Sequence, residues 1–449
     1  MTADSDSYNE SVGNNLDANK TVVMYNRVVG DKRLKRAVGN WVSGDRFWDR
    51  EEELALLIQY LDEGAQVLLV AQRRIGKTSL MREAGRRIED RFLCLHLDLQ
   101  KAHSPADAIA ELSAATRPYA SLWEKTKSVF ANILGSVAEQ MESLKIDDLT
   151  ITLRGALTGS EWESKGDRLF EILAASERPV VLFLDEVPIL VCRLLKGDDY
   201  RISGERRQQA DAFLSWLRAN GIRHQSKVRM VVTGSIGLEP IVRQGGLSGT
   251  LGYLTPFELE PWSPETAAGC LAALANEYQL KLLPGVAEAM LDDIGVCIPH
   301  YVQMFFDHAY RACRRQGVLE VSKELAADVY ARSMLSARGH AELSQLEERL
   351  KMVLGPELHP LTLDLLTEAA VSGRLTPEAA DALCQEYLPS DDRRAGSLRE
   401  ILGILEHDGY LRKEGDRAYV FVSKLPRDWW KARFSFTFTP VSERKGSRT

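Results

Sequence analysis

Short, fully apolar runs alternate along this chain with stretches in which apolar residues recur every three or four positions. "QVLLVA" (66–71) reads as a buried strand and "KTSLMREAGRRIED" after it as a helix. "FLCLHLDLQ" (92–100) alternates as a strand does. "PVVLFLDE" (179–186) and "VRMVVTGS" (228–235) read as two more buried strands, and "PFELEPW" (256–262) as a short last one. Strands separated by helical stretches predict an α/β fold with a mostly parallel sheet and helices on both faces.

The remaining pattern divides the chain further. Residues 104–166 form an insert, with a long helical pattern in "YASLWEKTKSVFANILGSVAEQMESL" and a strand expected at "LTITLRG". From 263 to 339 the pattern becomes all-helical: "SPETAAGCLAALANEYQL", "PGVAEAMLDDIG", "PHYVQMFFDHAYRACRRQG" and "SKELAADVYARSML" predict four helices. Ser263 is the expected N-cap of the first, with Pro264 opening it. "HAELSQLEERLKMVLG" (340–355) is a connecting helix. Two more helices follow, then "SLREILGILEHDGYLRKEGDRAYVFV", a helix and a hairpin turning at Gly415-Asp416. That is the outline of a winged helix, ending near residue 435 before a tail, 436–449. At the other end, residues 1–43 read as an arm. Its first 25 residues are rich in Ser, Asn and Asp and are expected to be disordered, while the basic run "RVVGDKRLKR" (27–36) is expected to be solvated.

Composition narrows the picture. Hydrophobic residues make up 45% of 449, enough for two or three domains. A net charge of −7 argues against a wholesale nucleic-acid coat. The six cysteines form no CxxC pair, so buried free thiols in a reducing compartment are expected. No run approaches the ~20 apolar residues of a membrane span, and the polar N-terminus lacks the regions of a signal peptide. Cytoplasm is the default expectation.

The chemistry concentrates at the end of the first buried strand. Ala71-Gln72-Arg73-Arg74-Ile75-Gly76-Lys77-Thr78 occupies the eight positions of a phosphate loop, G-x-x-x-x-G-K-[ST], with Ser79 following. Such a loop converges backbone N–H groups on an anion at a helix N-terminus. Gly76 lets the backbone approach the phosphates, Lys77 reaches the β- and γ-phosphates, and the Thr78 hydroxyl takes Mg²⁺. Ala71 stands where the first glycine usually does, at a position that needs a tight turn more than bare backbone. Asp185-Glu186 ends the next buried run, where a carboxylate would hold the metal and its neighbour would polarise the attacking water. The third run ends in Thr233-Gly234-Ser235, whose serine could lie between the two motifs and touch the γ-phosphate, or serve simply as a turn residue.

Several stretches together resemble the P-loop ATPases of the AAA+ group, in the branch of archaeal-type, STAND and origin-recognition proteins. They are "GDRFWDREEEL" (44–54), "QRRIGKTSL", "FLDEVPIL", "TGSIGLEPIV", "LTPFELEPWSPETA", "GVCIPHYVQMFF" and the ending "GYL…YVFVSKLPRDWW". The resemblance implies an ATPase core over 44–262 with the Asp185-Glu186 strand next to the phosphate-loop strand, a helical lid, and a C-terminal winged helix. It implies ATP and Mg²⁺ as ligands, Thr78 and Asp185 at the metal, and Asp185, Glu186 and Ser235 as the hydrolytic set. Pro299 sits where such proteins place a lid proline near the nucleotide, and His300 beside it reads first as a packed histidine. Arg243 occupies the interval of an arginine finger, although a helix-end arginine reads as well. Arg73 and Arg74 add positive potential over phosphates, or are solvated.

The function so implied is an ATP-driven switch with slow hydrolysis, acting through self-assembly or a protein partner. The alternative is a DNA-associated ATPase resembling replication initiators or transposition regulators. Charge disfavours it: residues 357–433 hold 14 acidic and 11 basic side chains, and the helix that would enter a groove carries Glu400, Glu406 and Asp408 against Arg399. Trp429 and Trp430 read as packing rather than as an exposed anchor.

Overall fold

The computed structural model describes residues 34–134, 146–157, 161–336, 341–389, 394–415 and 417–444. Five strands form the central sheet: β1 Val67–Val70, β2 Leu93–Asp98, β3 Val180–Asp185, β4 Val228–Val232 and β5 Thr255–Glu258. Their order is β2-β3-β4-β1-β5, and every pair in it is parallel. The pattern of apolar runs explains this. Val180 to Leu184 of β3 and all of β4 are buried, as strands covered on both faces must be.

The order corrects one expectation. The Asp185-Glu186 strand is not next to the phosphate-loop strand, because β4 lies between them. The intervening strand brings its own carboxyl end, Thr233 to Ser235, between the two motifs. The Thr233 hydroxyl donates to the Leu69 carbonyl at 2.9 Å, pinning that end to β1.

The "LTITLRG" strand is a second correction. Ile146–Ala156 is a helix lying against the helix Pro105–Ala115. Leu153 is fully buried there, and Arg154 pairs with Asp107 at 3.3 Å and Glu111 at 3.1 Å. A β-branched run prefers a pleated surface, but here Ile151 is exposed, and the burial of Leu153 against a helix overrides propensity.

The helical region runs through Pro264–Glu277, Val286–Ile294, Pro299–Gln316 and Lys323–Val329, with the Ser263 hydroxyl capping the first as expected. It is not purely helical: β6 Lys281–Leu282 and β7 Glu320–Val321 pair in parallel. The joining helix, Ala341–Val371, breaks at Gly355, whose φ is 77°. Beyond the break it packs against the helix Lys424–Phe434. The winged-helix outline is present as the helices Pro377–Tyr387 and Arg394–His407 and the antiparallel hairpin β8 Leu411–Glu414 with β9 Ala418–Phe421. Trp429 and Trp430 are buried, and the Trp430 indole donates to the Thr367 hydroxyl at 3.1 Å.

The basic arm supplies the third correction. Residues 27–33, like the first 25, fall outside the described residues, but 34–43 are packed. Leu34 is buried, and Arg36 pairs with Asp307 while lying 4.8 Å and 4.3 Å from the Tyr278 and Tyr310 ring centres. Two aromatic faces and a carboxylate outcompete water for this guanidinium. No described helix is long and apolar enough to cross a membrane. All six cysteines are free, and all but Cys94 are buried.

Candidate nucleotide-binding site

The phosphate loop joins β1 to the helix Lys77–Ile88. Arg74 and Gly76 take left-handed φ values of 67° and 104°, which turn the chain so that the helix N-terminus faces the cavity. A Cβ built on Gly76 would meet nothing within 4 Å, so the glycine serves backbone geometry and leaves open space for a ligand. Lys77 is folded back on the loop, its ammonium donating to the Ala71 carbonyl at 2.8 Å and the Gln72 carbonyl at 3.0 Å. Ala71 therefore contributes its backbone oxygen. Burial, only partly offset by Glu186 and Asp185, pushes the Lys77 pKa down to about 8.

Thr78 and Asp185 meet as the two motifs require: the hydroxyl donates to Asp185 Oδ2 at 2.7 Å. Burial raises the Asp185 pKa, and this hydrogen bond opposes the rise. Glu186 is also left-handed, with φ 61°, a conformation costly for a residue with a Cβ. It turns the carboxylate toward β4, where Oε2 accepts from the Ser235 amide at 2.9 Å and the Ser235 hydroxyl at 2.7 Å. Glu186 Oε1 lies 3.8 Å from the guanidinium of Arg349. The Ser79 hydroxyl accepts from the Val42 amide at 3.0 Å, tying the N-terminal segment to the loop.

Around these groups lies a cavity of about 630 Å³. Its lining includes Arg73, Arg74, Ile75, Gly76, Lys77, Thr78 and Ser79, with Asp185, Glu186 and Ser235 opposite. Pro299, the first residue of its helix, and His300 line it from the helical region. Arg243 does not line it; this arginine is exposed in the last turn of Leu238–Gln244.

Other lining residues escaped the sequence reading. Trp41 and Asn40 reach the cavity from the N-terminal segment, and Gln345 and Arg349 from the joining helix. Gln345 accepts from both Arg73 and Arg74, the latter at 3.2 Å. Arg73 Nη1, Arg74 Nε and Arg349 Nη1 are buried without a hydrogen-bond partner. Burial, together with the charges of Arg349 and Arg74, depresses Arg73 to about 10. Such crowding of cations is costly until an anion arrives. The residues thus fit a polyphosphate, and the Thr78 and Asp185 oxygens fit the hard cation that accompanies it.

The winged-helix region also touches this site. Asp408 accepts from the Gly237 amide, just beyond Ser235, at 3.0 Å. Gly409, with φ 76°, sits so close to Gln72 that a Cβ there would lie 2.5 Å from its side-chain amide carbon. The Tyr410 hydroxyl donates to the Leu346 carbonyl of the joining helix at 2.9 Å.

No protein-family model matches the chain, and no curated protein matches it. Solved structures do. The Walker-type ATPase of Pyrococcus abyssi superposes with a TM-score of 0.58 at 17% identity, covering 88% of this chain and 99% of its own. The Aeropyrum pernix ORC2 protein, described in ADPNP-ADP complexes, gives 0.49 at 13% identity, covering 89% and 95%. The Thermotoga maritima RuvB Holliday junction branch migration motor gives 0.39 at 13%, covering 84% and 94%. With its parallel sheet, phosphate loop and helical C-terminal half, this chain has the fold of a Walker-type P-loop ATPase.

Proposed function

We propose that the protein is an ATP-binding, slowly hydrolysing switch of the AAA+ and STAND kind, which couples nucleotide state to self-assembly or to a protein partner. The observation that carries this is the seating of the C-terminal region on both motif ends, through Asp408 on Gly237 beyond β4 and Gly409 against Gln72 of the phosphate loop. Both contacts adjoin residues that line the cavity, Arg73 and Ser235, so a nucleotide that shifts the loop or the end of β4 would reach the winged helix.

In this reading Lys77 leaves the loop carbonyls for the β- and γ-phosphates, and loop amides 73–78 cradle them. Thr78 and Asp185 hold Mg²⁺, which when bound neutralises phosphate charge. Glu186 accepts the proton of the attacking water as the water oxygen bonds to the γ-phosphorus and the β–γ bridging bond breaks, releasing ADP. Ser235 holds the Glu186 carboxylate in place. Pro299 and His300 close the cavity from the helical side. Arg243, exposed outside the cavity, acts in this scheme on the nucleotide of a neighbouring copy. The DNA-associated alternative is less well supported, because Asp408, at the end of the would-be reading helix, is engaged with the core.

Light scattering of the full chain, with Mg-ATP, with ADP and without nucleotide, tests the proposal. ATP should change its mass or its hydrodynamic radius, and ADP should not. Lys77→Ala should lose at least about a hundredfold in ATP affinity, the worth of a strong charge-assisted contact, and should abolish the change. An unaltered size in ATP, with or without added DNA, would remove the switch reading. Unaltered affinity of Lys77→Ala in calorimetry would remove the phosphate-loop assignment.

A further inference from the structure

We infer that Arg349 of the joining helix is the residue that tells ATP from ADP, by moving from Glu186 to the terminal phosphate. The inference rests on the nucleotide reading above. Arg349 lies about 90 residues beyond β5, on the helix that leads into the winged-helix region. Yet its guanidinium ends 3.8 Å from the carboxylate assigned to the attacking water, with the two side chains only 13% and 14% exposed.

Three features make this a waiting position rather than a finished ion pair. The separation is long for a salt bridge, and far longer than a charge-assisted hydrogen bond. Nη1 is buried with no partner, so half of the guanidinium fork is unspent. And Arg349 lines the same cavity as Arg73, Arg74 and Lys77, where like charges oppose each other until an anion enters. A guanidinium fork matches phosphate oxygens two at a time, which satisfies Nη1 and relieves the crowding together.

The consequence is a linked exchange. With a triphosphate in place, Arg349 turns to the γ-phosphate, and Glu186 keeps Ser235 but loses its cation. A free carboxylate is the better proton acceptor. With a diphosphate no γ-oxygen is present, and Arg349 returns to Glu186. Because Gln345 and Leu346 lie on the same helix, and Leu346 holds Tyr410, the helix that reads the phosphate also carries a contact of the winged helix.

The test compares Arg349→Ala and Arg349→Lys with the wild-type chain by calorimetry with Mg-ATP and Mg-ADP. Arg349→Ala should lose about ten- to hundredfold in ATP affinity, one charged hydrogen-bonding group's worth, and keep ADP affinity within about twofold. Arg349→Lys should recover part of the preference, since it keeps the charge without the fork. Protease cleavage in the winged-helix region should respond to ATP in the wild type and not in Arg349→Ala. Equal losses for ATP and ADP would make Arg349 a structural clamp and overturn the inference. So would an unchanged ATP-to-ADP ratio. Melting temperature separates either outcome from misfolding, and Arg349→Lys supplies the ratio if Arg349→Ala does not fold. Wild-type protein that binds neither nucleotide would overturn the phosphate-loop reading, and this inference with it.

Discussion

The two walls of the nucleotide cavity are built in opposite ways. One is local: residues 71–79 follow each other through a turn into a helix, and their backbone geometry does most of the work. The other is assembled from Glu186 after β3, Ser235 after β4, and Gln345 and Arg349 of the joining helix. The local wall carries its positive charges close together in sequence, on Arg73, Arg74 and Lys77. The assembled wall exists only while β4, the joining helix and the winged helix hold their places. In the proposed switch, the contrast assigns binding to the first wall and its readout to the second.

The largest expected effect separates chemistry from binding. Glu186→Gln keeps the Ser235 contacts and the size of the side chain but cannot take a proton. Turnover should fall about 10²- to 10⁴-fold, the usual share of a positioned base, with ATP affinity retained. Single-turnover assays would show it. A normal rate would move the base elsewhere in the assembled wall.

Next comes the local wall's response to pH. In the proposed reading the ammonium form of Lys77 binds phosphate, so binding should raise its pKa from about 8 in the free protein. The sign follows: ATP affinity is level well below pH 8 and falls as pH rises through the free protein's pKa. At pH 9 roughly one-tenth of the free protein is protonated, so affinity should be about tenfold weaker, with proton uptake on binding. Calorimetry in buffers of different ionisation enthalpy measures both. A flat profile to pH 9 would mean that the ammonium is not the group that binds.

The smallest effect loosens only the contact between the walls. Gly409→Ala places a Cβ at a left-handed position, a strain of about 1 kcal/mol or more, and crowds Gln72. Protease cleavage of the winged-helix region should become about fivefold faster, with ATP affinity almost unchanged. A loss of ATP binding instead would show that the winged helix helps form the local wall.

Much of this was legible beforehand, for reasons that differ by element. The apolar runs of β1, β3 and β4 are buried on both faces, and such strands announce themselves in any order of assembly. The Thr78–Asp185 contact was readable because Thr78 closes the loop motif that follows β1 and Asp185 ends the apolar run of β3. The helix at 146–156 was not, since its β-branched residues suggest a strand, whereas Leu153 and Arg154 tie it to the helix at 105–115. Arg36 read as solvated because nothing in the sequence brings Tyr278 and Tyr310 to it.

By itself, then, the sequence determined the parts whose forces are short-ranged: the strands by hydrophobic burial, the phosphate loop by backbone turn chemistry, and the helix starts by their caps. Tertiary structure alone decided that β4 separates the two motif strands, and that Ser79 serves Val42. It alone decided that Glu186 rests between Ser235 and Arg349. The physical reason is range. A turn or a cap is set by neighbours a few bonds away, whereas a charge finds its partner across whatever space the packed chain leaves it, and that space is fixed only when the helices and the sheet have come together.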